Sequence, residues 1–394
     1  MSETHIVVIG LNHRSAPVEL RERLAVRHDD LPKILRRLRG DVGLQEAAVL
    51  STCNRVEIYG TVGALQGAVP RLAAFLGEHA RLDPGSLDGR LYHHVEPDSV
   101  RHLFTVTSGL DSMVLGEAEI LHQVKTAYEA ARACGATGKV FNVLFQRALN
   151  AAKAVRTRTG IGEGCTSVGS VAVELTQKIF GPLSGTTVVL VGAGKLGGLT
   201  LQRLGVRGVR DVRVLNRSPE RAGELASVYG ARAGRLEELP AQLVDADILI
   251  TSTSAPGWLL TREMVAAAMP ARRRRLLCIV DLGVPRNVEP GVGTVENVFL
   301  FNVDDLEGLV AHASHERAEA VQASELILAR KVEHFLSWWQ TECRVSSVEW
   351  NTKMSAVERL VLVIRHSSLV TRHLAHDWCC VRCDPSASEL AAAR

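Results

Sequence analysis

The sequence predicts an α/β multidomain chain: a small α+β domain, a Rossmann-type nucleotide domain, and a long connecting helix leading into a helical C-terminal region. Three observations lead there. The length of 394 residues exceeds what one ordinary core accommodates. Residues are 46% hydrophobic but only 4% aromatic, so the core is expected to be aliphatic, as in parallel sheets. A β-branched run ending in glycines, "TTVVLVGAGKLGG", then opens a regular alternation of strands and helices.

Taken in order, "HIVVIG" (5–10) and "NRVEIYG" (54–60) read as strands, with amphipathic helical patterns over 17–39 and 65–80. From 96 to 180 the pattern is almost wholly helical, with apolar positions recurring at three and four residues. Gly160, Gly162 and Gly164 break that run and form a candidate hinge. After the glycine loop, "DVRVLNRS", "DADILITSTS" and "RLLCIVDLG" supply buried strands for a doubly wound parallel sheet with right-handed crossovers. Asn302 to about Gln340 reads as one long helix, and the pattern weakens after Trp338 and Trp339. The arginine run at 272–275 reads as a solvated loop. The domains expected are 1–160, 161–305 and 306–394.

Bulk properties narrow the function. A net charge of +3 neither demands nor excludes a polyanionic partner, because a local basic face suffices to hold one. The N-terminal residues lack a secretory pattern and no apolar stretch reaches the length of a membrane span, so a cytoplasmic protein without membrane contact is expected. Eight scattered cysteines make no disulfide framework and are read as thiols.

Gly192, Gly194 and Gly197 form G-x-G-x-x-G between a strand and a helix, with Ala193, Lys195 and Leu196 completing the loop. The first glycine permits the turn, the second admits a pyrophosphate, and the third lets helix and strand pack closely. The next strand ends at Asn216, Arg217 and Ser218. An arginine where an acidic residue would bind ribose hydroxyls suits a 2′-phosphate, so NADPH is expected over NADH.

The chemistry to be done must come from elsewhere in the chain. Cys53, in "LSTCNRVEIYG", reads either as a small packed hydrophobe or as a nucleophile that accepts an acyl group before reduction. Arg55 would assist a thiolate only by approaching the sulfur. The surrounding words decide between them. "GLNHRSAPVELRERLA", "LSTCNRVEIYG", "HLFTVTSGLDSMVLGEAEILHQVK", "GIGEGCTSVGSVAVEL", "VGAGKLGG" and "VDLGVPRNVEP" occur in the order found in glutamyl-tRNA reductases, and the chain resembles that family over about residues 5–340.

The resemblance implies NADPH-dependent reduction of glutamyl-tRNA(Glu) to glutamate-1-semialdehyde, the first step of five-carbon tetrapyrrole synthesis. It makes 1–160 the catalytic domain and implies Cys53 as the thioester-forming nucleophile, Arg55 as the reader of the substrate carboxylate, and His102 as an activating imidazole. Thr52, Ser112, Glu57 and Glu117 fall on motif positions lining or bracing the pocket, and His13 and Arg14, in the turn after the first strand, either border it or the acceptor end of the tRNA or are structural. A homodimer formed by the C-terminal helices and hand-over of the aldehyde to glutamate-1-semialdehyde aminomutase are further implications.

The chain departs from the family at a few places. Glu119 stands where the family usually has glutamine, and it counts among the substrate-binding residues as a carboxylate facing a carboxylate. Cys165 stands where a small residue is common and reads as helix packing. The tail lacks the usual proline-containing entry to the dimerisation helices, and its His373, His376, Cys379, Cys380 and Cys383 do not make the two well-spaced pairs of a metal site. Competing readings are a pathway-specialised paralogue with altered substrate or regulation, a non-catalytic tRNA-binding regulator, and a generic shikimate-type dehydrogenase. The last leaves residues 1–160 unexplained.

Overall fold

Short alternating apolar runs pair locally in the first third of the chain, where β1 (His5–Asn12), β2 (Glu46–Ser51), β3 (Arg55–Val62) and β4 (Tyr92–Val95) form an antiparallel sheet of order β2-β3-β1-β4. The computed structural model describes residues 4–83, 85–162, 167–273, 275–306 and 318–342. Expectations placed on Gly164, Cys165, one arginine of the 272–275 run, residues 307–317 and the tail beyond 342 lie outside the described residues, the dimerisation region and its histidine and cysteine cluster among them.

Against this sheet pack α1 (Val18–Leu24), α2 (Leu31–Gly40), α3 (Ala68–Ala80), α4 (Asp98–Thr107), α5 (Glu119–Ala133) and α6 (Lys139–Thr159). Each buries an apolar stripe at helical spacing. In α5 the stripe is Ile120, Val124, Tyr128 and Ala131. The helical pattern over 17–39 is two helices in the structure, separated by a short 3₁₀ turn at His28–Asp30.

The longest helix of this domain, α6, is anchored at its start by a carboxylate from the sheet. Glu46 accepts the backbone N–H groups of Gly138, Val140 and Phe141 at 2.6, 3.1 and 2.8 Å. These include donors that a helix leaves orphaned at its N-terminus, and the anion sits at the positive end of the helix dipole. A Cβ on Gly138 would stand 2.9 Å from Glu46 Oε1, so any larger residue would shift the carboxylate against its donors.

The second half follows α7 (Val168–Phe180) and alternates strand and helix: β5 (Thr187–Val191), α8 (Lys195–Val206), β6 (Asp211–Asn216), α9 (Pro219–Tyr229), β7 (Arg232–Arg235), α10 (Leu239–Gln242), β8 (Ile248–Thr251), α11 (Arg262–Ala268), β9 (Leu277–Asp281) and β10 (Val298–Asn302). All six strands are parallel, in the order β10-β9-β8-β5-β6-β7. Counted within the domain this is the doubly wound order, and its direction reverses between β5 and β8, where such sheets bind ligands. Apolar layers cover both faces, one from α7, α8 and α9 and one from α10 and α11.

A final helix, α12 (Ala318–Glu342), returns to the first domain. It buries Leu328, Val332, Phe335 and Trp339 in the core that α4 and α6 share. The helix expected from Asn302 does not begin there. Asn302 closes β10, and a turn follows in which Asn302 Oδ1 accepts the N–H of Asp304 at 2.8 Å while the Asp305 carboxylate accepts that of Asn302 at 2.7 Å. Such side-chain bonds turn the chain where apolar periodicity runs on unbroken.

The two domains share apolar surface, since Val18, Met113 and Val114 are buried in the same cluster as α7 and β5. If Glu46 anchors α6 as its bonds indicate, Glu46→Leu lowers unfolding stability by about 2–4 kcal/mol, because buried helix donors lose their acceptor. Chemical denaturation of the variant beside the native chain measures this, and an unchanged midpoint would refute the anchoring role.

Candidate active site

The turn joining β2 to β3 carries Cys53 at its tip, and Thr52 gives it shape. The Thr52 hydroxyl accepts the backbone N–H groups of Asn54 and Arg55, both at 3.1 Å, while Thr52 N–H donates to the Arg55 carbonyl at 2.8 Å. His13 N–H donates to the Asn54 carbonyl at 2.8 Å, which ties the loop after β1 to the same turn. Arg14 is exposed and donates to Asp111 at 2.9 Å.

Beyond the turn, β3 directs Arg55, Glu57 and Tyr59 to one face, as the strand's period of two requires. Glu57 is fully buried and accepts four donors: Arg55 Nη1 at 2.7 Å, His102 Nε2 at 2.8 Å, and the hydroxyls of Tyr59 and Tyr92, both at 2.5 Å. Gly10 of β1 faces Glu57 on one side and Tyr92 on the other, and lets the two meet across it. A Cβ there would fall 2.8 Å from Glu57 Cγ and 2.4 Å from the Val56 carbonyl oxygen.

Burial alone would raise the Glu57 carboxyl, but the charges of His102 and Arg55 and the bonds from His102 and Tyr59 outweigh it and hold the group well below the usual carboxylate range. Burial and that charge push the Tyr59 and Tyr92 phenols well above theirs. An ionised Glu57 only accepts, so His102 Nε2 carries the hydrogen it donates and Nδ1 faces away from the carboxylate. The His102 ring also packs against His94 and Tyr92, with centroids 5.0 and 5.4 Å apart.

Arg55 is engaged on its other side too. Nη2 donates to the Asp111 carbonyl at 2.5 Å and to its carboxylate at 3.0 Å. The guanidinium is therefore directed at two carboxylates, and it is Arg21 that bonds the Cys53 backbone, its Nε donating to the Cys53 carbonyl at 3.1 Å.

Thr52, Cys53, Arg55, Ser112, Glu117 and Glu119 line one pocket of about 480 Å³, counting space open to solvent. Its far wall comes from the nucleotide domain, through Val168, Leu196, Leu282 and Val303. His102 and Glu57 stand behind Arg55, outside that lining. Burial and then Glu119 push the Glu117 carboxyl up to about 7, against the opposing influence of Ser112, Arg55 and Lys195. Burial, Glu117 and Glu119 push the Cys53 thiol up to about 12, against the Arg21 charge, so the sulfur is protonated at neutral pH in this arrangement.

The loop after β5 fits a dinucleotide. Gly192 has φ +112°, and a Cβ there would lie 2.7 Å from the Ser252 carbonyl oxygen; one on Gly197 would lie 2.6 Å from that of Gly192. A Cβ on Gly194 would meet nothing within 4 Å, leaving the cradle open at the residue that must admit a pyrophosphate. Ala193 is partly buried in the domain core, Lys195 is exposed at the start of α8, and Leu196 reaches the Cys53 pocket. At the end of β6, Asn216 Nδ2 donates to the Ser218 carbonyl at 3.1 Å, and Arg217 projects exposed between them.

Reading the sequence missed Arg21, Asp111, Tyr59 and Tyr92. Polar residues at alternate positions of a buried strand, as in Arg55, Glu57 and Tyr59, were a legible signal for part of the cluster.

Comparisons with known proteins bear on the same residues. Residues 9–159 match the family model of the glutamyl-tRNA(Glu) reductase N-terminal domain, and 174–309 match that of shikimate/quinate 5-dehydrogenase. The glutamyl-tRNA reductase of Syntrophotalea carbinolica is 42% identical over 92% of this chain and 81% of its own length. That of Rubrobacter xylanophilus is 43% identical over 85% of this chain and 78% of its own. Among solved structures, the glutamyl-tRNA reductase of Methanopyrus kandleri is 34% identical, covering 86% of this chain and 81% of that one, with a TM-score of 0.48.

Because Glu119 adds to the charge suppressing the thiolate, Glu119→Gln should speed alkylation of Cys53 by iodoacetamide about 3- to 10-fold at about pH 8.5. Below a thiol's pKa the thiolate fraction grows as that pKa falls. Peptide-mapped mass spectrometry separates Cys53 from the other thiols, and an unchanged rate would show that Glu119 does not act on the sulfur.

Proposed function

This chain belongs to the glutamyl-tRNA reductase family, and from that premise we propose that it reduces glutamyl-tRNA(Glu) to glutamate-1-semialdehyde with NADPH, through a thioester on Cys53. The family's activity is the first step of five-carbon tetrapyrrole synthesis, and the nucleotide domain is of the dehydrogenase type that takes a nicotinamide cofactor. The observation that carries the finer reading is the shared pocket: a thiol on one wall, residues of the dinucleotide-binding domain on the other.

In the first half-reaction Cys53 Sγ attacks the ester carbonyl carbon. A C–S bond forms, the ester C–O bond breaks, and the terminal ribose oxygen of the tRNA leaves with the proton that the thiol gives up. Glu117, held up to about 7 by burial and Glu119, is the side chain of this pocket suited to move that proton near neutral pH. Arg55 receives the side-chain carboxylate of the glutamyl group, a planar fork matched to a planar anion. That carboxylate takes the place held here by Asp111.

His102, held by Glu57 through its Nε2–H, keeps the Nδ1 lone pair free to accept a proton from the reacting groups. Gly192, Gly194, Gly197 and Arg217 would hold the cofactor, Arg217 through the 2′-phosphate. When bound, NADPH supplies the hydride that turns the thioester carbon into an aldehyde, the C–S bond breaking and a solvent proton restoring the thiol. Thr52 and Ser112 hold the walls of the pocket, and exclusion of water by the apolar far wall protects the thioester from hydrolysis to free glutamate.

A glutamate at position 119 inside this pocket favours, as a second reading, a paralogue with altered substrate or regulation. Dimerisation, a cytoplasmic site of action and hand-over to glutamate-1-semialdehyde aminomutase rest on family membership alone.

Single-turnover chemistry tests the reading. Labelled glutamyl-tRNA without NADPH leaves label on Cys53, and Cys53→Ser loses aldehyde production at least about 1,000-fold. Aldehyde formation by a native chain that never carries label would overturn the thioester. Arg217→Asp raises the KM for NADPH about 10-fold or more while sparing NADH, the worth of a charge-assisted phosphate contact. An unaltered preference would remove Arg217 from the cofactor site.

A further inference from the structure

Of the four charged residues in α1, Glu19, Arg21 and Glu22 turn toward the nucleotide domain, while Arg23 donates to the Ala80 and Arg81 carbonyls of its own domain. Arg21, with no side-chain exposure, donates through Nη2 to Asp304 Oδ1 at 2.6 Å and through Nη1 to Asp304 Oδ2 at 3.3 Å and the Ala16 carbonyl at 2.8 Å. Its Nε holds the Cys53 carbonyl at 3.1 Å. One buried guanidinium therefore grips the backbone of the nucleophile with one edge and the second domain with the other.

The outer half of the contact runs the opposite way. Arg286 of the nucleotide domain donates to Glu22 through its backbone N–H and Nε, both at 3.1 Å, through Nη2 at 2.9 Å, and to Glu19 through Nη1 at 2.6 Å. The loop presenting Arg286 is fixed by the buried Asp281, which accepts the N–H groups of Gly283, Asn287 and Val288 at 2.9, 2.8 and 2.9 Å and the Thr251 hydroxyl at 2.7 Å. Both halves are built at the carboxyl ends of β9 and β10, the edge at which the sheet binds ligands.

We propose that Arg21 is a positioning residue that couples the Cys53 turn to docking of the nucleotide domain through Asp304, with Arg286 and the pair Glu19 and Glu22 as the outer clasp. The inference rests on the thioester reading for its chemical meaning. While the domains are docked, Asp304 offsets part of the Arg21 charge, and the sulfur is surrounded by protein and carboxylates. That setting penalises a thiolate but not a thioester, whose sulfur carries no charge. Separation of the domains would free the Arg21 charge to act on Cys53 alone and hydrate the thiol, the state suited to attack on the ester. Docking over the acylated sulfur is then the state suited to reduction, with water displaced.

Asp304→Asn in the full chain tests this, with Arg286→Gln as a second variant on the other half of the clasp. Two readouts apply. Without any substrate, iodoacetamide modification of Cys53, followed by peptide mass spectrometry, should quicken about 10-fold. With labelled glutamyl-tRNA and NADPH, the ratio of aldehyde to free glutamate should fall about 10- to 100-fold, because a thioester formed under an undocked domain meets water. Modification rates in both variants equal to the native rate would overturn the coupling. Failure of the native chain to form labelled thioester would instead overturn the thioester reading, and the substrate-free arm would still decide the clasp.

Discussion

The polar cluster behind Cys53 is arranged around one carboxylate taken out of water. An ionised group costs several kcal/mol to bury, and Glu57 offsets that cost only because a guanidinium, an imidazole and two phenols all donate to it. The dependence is mutual. Arg55 and His102 come from a strand and a helix far apart in sequence, and the same acceptor sets the direction of both. A single missing side chain, at Gly10, makes room for the arrangement, since any Cβ there would collide with Glu57. The glycine ending "HIVVIG", which looks like punctuation, is therefore part of the site.

Two glutamates of the same region are treated in opposite ways, and the difference fits the separate roles proposed for them. Glu57 meets cations and donors and remains a fixed anion. Glu117 meets burial and another carboxylate and is brought up to about 7, where a group exchanges protons readily. Environments that drive like groups apart in this way separate orienting from proton-handling roles. For stability the signs also differ. The contribution of Glu57 is complete above the ordinary carboxylate range and is lost progressively as pH falls from there to its lowered titration, whereas Glu117 weakens the fold as pH rises from the ordinary carboxylate range through about 7.

Much of the fold was legible because it is periodic. The alternation of strands and helices after residue 186 and the glycine loop led directly to a doubly wound sheet, which is what β5 to β10 form. The strands β2 and β4 were not read: "EAAVLS" is alanine-rich and "YHHV" is a short polar edge, so neither shows the β-branched alternation that marks a strand. The false start of the last helix at Asn302 came from apolar spacing continuing through a turn made by side-chain bonds. The motif residues around Cys53 were legible as words of a family, but Arg21, Asp111 and Asp304 were not. Their meaning lies in contacts such as Arg21 with Asp304, 283 positions apart, which no local pattern encodes.

Topology explains why the sulfur at Cys53, rather than another, faces the nucleotide domain. A parallel doubly wound sheet offers ligands the carboxyl ends of its strands, and Leu196, Leu282 and Val303 all lie just past such ends. A reactive group from the other domain must therefore arrive at that edge. Among the described free cysteines, Cys278 is sealed inside β9, its thiol pushed up to about 12 by burial alone, and Cys134 is exposed at the end of α5. Cys53 alone of the three is partly buried, lines the shared pocket, and owes part of its shift to charges that a substrate or a domain movement can alter. Burial inside a strand is permanent, whereas the part of the Cys53 shift that comes from Glu117 and Glu119, second to burial, is conditional and can be lifted in the proposed reaction.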